Sequence, residues 1–228
     1  MGILNLGESG QWHKVACLTR SRYARRVFTG LIQSLGTVAA IAATASGNRI
    51  LIRPDSGGSM PELGASISVN GCCLTLAAVD GGAFAFDVIP QTLALTTLGT
   101  FVVGARVHLE MSATLSTLLG GHLVLGHVDG IATLHAVSTA QGERRFTFDI
   151  PIGVEDAIIP QGSITLDGVS LTIAKVHDAR NFDVCIIPET LARTTFAEWR
   201  IGTKVNLEAD YLAKLVAKIV AQKLSRQA

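Results

Sequence analysis

The chain has 228 residues, a formal net charge of +1, 48% hydrophobic and 16% charged residues: enough apolar content for a sizeable core and one or two domains. The near-neutral balance argues against nucleic acid or an anionic membrane surface as the main partner, and no run reaches the ~18 apolar residues of a membrane-spanning helix. Cys17, Cys72, Cys73 and Cys185 show no CxxC or Cys/His ligand spacing, so a metal centre and a disulfide scaffold are both disfavoured and reduced thiols in the cytoplasm are expected.

Residues 1–26 stand apart. They hold Lys14, Arg20, Arg22, Arg25 and Arg26 against Glu8 alone, a local charge of +4, which leaves −3 on the other 202 residues. A continuous apolar core of the secretory type is missing. The stretch reads as a basic leader with no ordered role, or as the product of an upstream start site.

From Val27 onward the sequence is a repeat. The segment SISVNGCCLT at 66–75 aligns with SITLDGVSLT at 163–172, five identities in ten, and IPQTLALTT at 89–97 aligns with IPETLARTT at 187–195, seven in nine. The run 101–110 matches 199–208, both ending in glutamate, and the segment opening at Phe28 pairs loosely with that at Val124. A period near 97 residues is a duplicated small domain rather than a solenoid.

Each copy reads as all-β. Asn70-Gly71 and Asp167-Gly168 are type I′ turn dipeptides between β-branched runs, and 80–82 and 180–181 mark later turns. Strand-length runs every 8–12 residues favour two six-stranded Greek-key barrels, 27–122 and 123–209. On an extended strand Cys73 and Thr75 share a face, as do Ser170 and Thr172. These pairs suit a polar heterocycle, or simply satisfy nearby backbone. The linker ends in Gly-Gly-His at 120–122 and leads to His127, whose counterpart in the first copy is Leu31. Asp210 stands against Ser112, and is either a reactive carboxylate or an N-cap. In 210–228 the residues Leu212, Leu215, Val216, Ile219, Val220 and Leu224 recur at helical spacing, for packing on the chain's own barrel or on other copies.

The segments FTGLI at 28–32, NGCCLT at 70–75, Gly-Gly-His through Val128, DGVSLT at 167–172 and IPETL at 187–191 resemble the riboflavin synthase, or lumazine-binding, family in order, spacing and duplication. That resemblance implies a dismutation of two 6,7-dimethyl-8-ribityllumazine molecules to riboflavin and 5-amino-6-(D-ribitylamino)uracil, without cofactor or metal. It implies a homotrimer held by C-terminal helices, with possible association with lumazine synthase. Lumazine contacts carry over to Gly30, Leu31 and Ile32, to Cys73, Leu74 and Thr75, and to Asp87, Val88, Ile89, Pro90, Gln91 and Thr92, all placed with the first barrel. With the second barrel come Gly126, His127 and Val128, then Gln161, then Ser170, Leu171 and Thr172, and then Ile186, Ile187, Pro188, Glu189, Thr190 and Leu191. Ser66, Cys73, His127, Ser170, Thr172 and Asp210 match positions linked to catalysis in the family. His127 is the expected base for the acidic 7-methyl, Ser170 with Asp210 the expected nucleophile, and Phe28 is expected to help close the site. Gln161 replaces the family's usual lysine, removing a charge there. The rival readings are a non-catalytic lumazine or flavin antenna protein and a flavin reductase domain; the second leaves the duplication unexplained and lacks a GxGxxG nicotinamide site.

Overall fold

The computed structural model describes residues 27–55, 60–140, 143–177 and 180–226; the expectation for residues 1–26 lies outside them. Twelve strands among the described residues make two closed antiparallel barrels. The first contains β1 (Ser34–Thr44), β2 (Gly47–Pro54), β3 (Ser66–Val69), β4 (Cys72–Asp80), β5 (Ala83–Val88) and β6 (Arg106–Met111). Its ring order is β1-β2-β5-β4-β3-β6. The second contains β7 (Gly130–Ala140), β8 (Glu143–Asp149), β9 (Ser163–Leu166), β10 (Val169–Val176), β11 (Asn181–Ile186) and β12 (Lys204–Ala209), and repeats that order as β7-β8-β11-β10-β9-β12. Short helices α1 (Pro90–Leu95) and α2 (Pro188–Arg193) follow β5 and β11, each opening on a proline whose missing N–H costs nothing at a first turn. Helix α3 (Tyr211–Ser225) closes the chain.

Alternation decides which side chains fill each barrel. On β4, Cys72, Leu74 and Leu76 are buried, while Cys73 and Thr75 face outward together. The strands bend at register shifts placed alike in the two copies, Val38/Ala40 with Leu134/Ala136 and Leu76/Ala78 with Ile173/Lys175. Such bulges add the local twist that lets a six-stranded sheet close. Each barrel has its own core, and the second adds a cluster of Phe146, Phe148, Phe196 and Trp199.

The barrels meet where the two I′ turns stack back to back. Asn70 and Asp167 both have φ 44°, and Gly71 and Gly168 have φ 76° and 82°. A Cβ on Gly71 would stand 2.7 Å from the Gly168 nitrogen, and one on Gly168 2.8 Å from that of Gly71, so only glycine fits on either side. Around this point each copy reaches into the other. His108 of β6 bonds the Asp167 carbonyl through Nδ1 and accepts the Thr195 N–H at Nε2. Its counterpart Asn206 of β12 donates to the Asn70 carbonyl and accepts the Thr97 N–H. The substitution of Asn for His, and of Phe101 for Trp199, strands one hydroxyl. Thr195 Oγ1 takes the indole N–H of Trp199, while Thr97 Oγ1 is buried without a partner.

Asp167 makes this interface pH-sensitive. Its Oδ1 accepts the Asn206 N–H at 2.7 Å, yet burial pushes the carboxyl up to about 8. A raised folded-state value means that its stability contribution is complete at low pH and is lost as pH rises through 8. His108, driven down to about 4 by burial, acts oppositely, but only below its ordinary titration range. Between pH 6.5 and 8 the loss through Asp167 is expected to be about 1.6 kcal/mol, the slope of ~1.4 kcal/mol per pH unit halving as the folded-state value is reached. Asp167→Asn copies the first repeat, keeps an acceptor for Asn206 and should flatten that slope. Urea unfolding of both proteins at pH 6.5 and pH 8 measures it; equal slopes would refute the assignment.

Phe28 is fully buried, and its backbone forms an antiparallel bridge with Val124 at the crossing of the two copies.

Candidate functional site

The segments that open the two copies cross over. Residues 28–32 precede the first barrel but lie on the second: the Ser170 N–H donates to the Gly30 carbonyl at 2.8 Å, and Ile32 packs on the second core. Residues 124–128 precede the second barrel but lie on the first: the Cys73 N–H donates to the Gly126 carbonyl at 2.9 Å, and Val128 packs on the first core. The grouping by sequence order is thereby corrected. Gly30, Leu31 and Ile32 belong with Ser170, Leu171 and Thr172, and Gly126, His127 and Val128 belong with Cys73, Leu74 and Thr75. Alignment preserves order along the chain, and nothing in it shows that two homologous segments exchange partners.

Two buried glutamates hold these segments. Glu110 of β6 accepts the Thr29 N–H and hydroxyl and the Gly30 N–H. Glu208 of β12 accepts the N–H groups of Leu125, Gly126 and His127. They are 2% and 3% exposed, so removing either side chain leaves buried donors unpaired, at about 1–3 kcal/mol each. Burial raises both carboxyls, Glu208 to about 7, against the pull of its N–H donors and Lys214. The matched glutamates at 110 and 208 were visible in the repeat, but carried no chemistry until their donors were seen.

The Ser170 face carries a histidine that residue-type reasoning passed over. His122 Nδ1 lies 2.7 Å from Ser170 Oγ, and its Nε2 lies 3.3 Å from Thr165 Oγ1. Burial lowers its pKa, partly offset by the charge of Asp210. A neutral imidazole bonded to a half-buried hydroxyl is equipped to take up or return a proton. Gly121 permits the contact, since a Cβ there would meet the Thr29 carbonyl at 2.1 Å and Ser170 Oγ at 2.9 Å. His127 is exposed and its backbone, rather than its ring, is what Glu208 holds. Asp210 Oδ1 accepts the Leu212 N–H, so it is the N-cap of α3 while its charge reaches His122.

The remaining expected positions fall at strand ends, in the loop before β9 and in or beside the short helices α1 and α2. Ser66 opens β3 opposite Thr75. Asp87 is exposed and held bidentately by Arg49, 2.7 Å to each oxygen, which keeps its carboxyl below the usual range. Val88 and Ile186 are buried; Ile89, Pro90, Gln91, Ile187, Pro188 and Glu189 are exposed, and Thr92, Thr190 and Leu191 are half-buried. Gln161 sits at φ 64°, a left-handed backbone where the first copy uses Gly64 at φ 85°. A non-glycine residue held there stores about 1 kcal/mol or more, which the loop must repay through contacts. A separate open depression of about 590 Å³, lined by His135, Thr147, Asp149, His177, Arg180 and Asn181, lies at the other end of β11 from Ile186.

Duplicated barrels with crossed entry segments present two homologous strand faces, each overlaid by a turn from the other copy. The sequence profile of the lumazine binding domain matches residues 29–112 and again 125–210, and the chain belongs to that family. It is 36% identical to the riboflavin synthase of Mycobacterium tuberculosis over 197 residues, covering 85% of this chain and 98% of that protein. It is 35% identical to that of Escherichia coli, covering 87% and 94%. Among solved structures, LumP complexed with riboflavin is 26% identical with a TM-score of 0.68, covering 80% of this chain and 98% of that one. LumP complexed with 6,7-dimethyl-8-(1'-D-ribityl) lumazine shares the fold, with a TM-score of 0.68 at 24% identity. No helix among the described residues is long and apolar enough to cross a membrane.

Proposed function

We propose that the chain is a riboflavin synthase, converting two molecules of 6,7-dimethyl-8-ribityllumazine to riboflavin and 5-amino-6-(D-ribitylamino)uracil by exchange of a four-carbon unit. The observation that supports this reading is a pair of homologous strand faces with unlike chemistry: Cys73 lies against Gly126 on one, and the hydrogen-bonded His122–Ser170 pair lies against Gly30 and Gly121 on the other. A reaction between two copies of one molecule needs two similar seats, one to receive carbon and one to give it up. Holding both reactants removes a bimolecular entropy barrier of up to ~7–11 kcal/mol. The 7-methyl is acidic because its anion delocalises into the ring, so a base is needed at one seat. His122, bonded to Ser170, and His127, on the segment laid over the Cys73 strand, are the candidate bases, and Ser170 or a water is the nucleophile for C7 of the partner molecule.

The productive unit is a cytoplasmic homotrimer. In α3 no residue is buried, and Leu212, Val216, Val220 and Leu224 are 50–63% exposed along one helix, an apolar stripe that packing against the same helix of other subunits would cover. On that reading, as the family resemblance implies, the reaction joins the first barrel of one subunit to the second barrel of another. Incubation with 6,7-dimethyl-8-ribityllumazine, followed by absorbance, is the test. One riboflavin formed per two lumazines consumed supports the reading. Tight binding without turnover would make the protein an antenna-type binder instead, the reading to which the LumP likeness also points.

A further inference from the structure

Building on the synthase reading, we propose that Glu110 and Glu208 are positioning residues that act across the barrels: Glu208 of the second barrel sets the wall of the first barrel's pocket, and Glu110 of the first sets the wall of the second's.

The geometry is the same on both sides. Each carboxylate collects three donors from one short segment, Thr29–Gly30 for Glu110 and 125–127 for Glu208. Each segment then turns through a glycine of positive φ, 75° at Gly30 and 74° at Gly126. That glycine's carbonyl takes a strand N–H of the opposite barrel, and the backbones touch so closely that a Cβ on Gly30 would lie 2.5 Å from Ser170 Cβ and one on Gly126 2.6 Å from Cys73 Cβ. With contact on one face and a three-donor carboxyl clamp on the other, the segment has no slack. A segment with one proper position fixes where His127 and Val128 stand over the Cys73 face, and where Leu31 and Ile32 stand over the Ser170 face. The two pockets are therefore joined through one rigid backbone crossing, marked by the Phe28–Val124 bridge.

Cys73 reports on the first pocket alone, because Cys72 beside it is buried with its thiol pushed up to about 12 and stays unreactive. The test measures alkylation of Cys73 by iodoacetamide, located by fragment mass spectrometry, together with amide exchange of 125–127, in the full-length protein and its Glu208→Leu, Glu208→Gln, Glu110→Leu and Glu110→Gln variants. Glu208→Leu should speed Cys73 alkylation about fivefold or more, accelerate exchange at 125–127 and weaken riboflavin's protection of Cys73. Glu110→Leu, although it alters Cys73's own barrel, should leave the alkylation rate within about twofold. Glu208→Gln keeps one acceptor oxygen but removes the charge, so it should fall between wild type and Leu; equality with Leu would reduce the effect to charge and overturn the clamp. Equal responses of Cys73 to the Glu208 and Glu110 variants, or unchanged exchange at 125–127, would overturn it as well. If the Leu variants do not fold, the Gln pair carries the same comparison. A crossed pattern in a protein that does not turn over lumazine counts against the synthase reading and leaves the clamps standing.

Discussion

Ser170→Ala is expected to lower kcat by about 10²–10⁴-fold while riboflavin affinity stays within a few-fold, the signature of a group used mainly in the transition state. The Ser170 hydroxyl is half-buried, 2.7 Å from His122 Nδ1, and His122 is kept neutral by burial, so the imidazole can accept the hydroxyl proton as an O–C bond forms. His122→Gln offers a hydrogen bond in place of the ring but no base, and should reproduce most of the loss. Thr165→Val, which removes only the contact to the far ring nitrogen, should cost about tenfold or less. Single-turnover rates with 6,7-dimethyl-8-ribityllumazine, set beside riboflavin binding, measure all three. A Ser170→Ala enzyme of near-normal rate would move the chemistry to another nucleophile, with water held by His127 the next choice.

Gly126→Ala should destabilise the protein by about 3 kcal/mol and abolish binding in the first barrel's pocket. The backbone at φ 74° disfavours any L side chain by ~1–2 kcal/mol, and the new methyl would sit 2.6 Å from Cys73 Cβ and 2.8 Å from its nitrogen. Neither obstacle is a flexible side-chain tip, so relief requires the segment to leave the barrel, against three hydrogen bonds to Glu208. Gly30→Ala is the mirror experiment: a 2.5 Å clash with Ser170 Cβ, and the damage falls on the second pocket although Gly30 lies in the first copy. Urea unfolding gives the first quantity and fluorescence titration with riboflavin the second. A well-folded Gly126→Ala protein with unchanged affinity would mean that residues 124–128 do not form the pocket wall.

Much of this was legible in the amino-acid order. The duplication, the twelve strands, the paired I′ turns and the terminal helix follow from local signals: Asn-Gly and Asp-Gly demand left-handed backbone, alternation at period two demands a strand, and a stripe at period 3.6 demands a helix. The outward pairing of Cys73 with Thr75, and of Ser170 with Thr172, is local too. The site was legible only as a set of residue types. That Ser170 pairs with His122, that Glu110 and Glu208 are buried anchors, and that residues 30–32 and 126–128 exchange barrels depend on contacts between positions 48 to 140 apart. Sequence by itself determined two barrels of the lumazine-binding kind, because each turn and strand is specified within a few residues. Only the tertiary structure decided which segment walls which pocket, because that depends on backbone contacts between distant glycines and strands, which leave no periodicity to read.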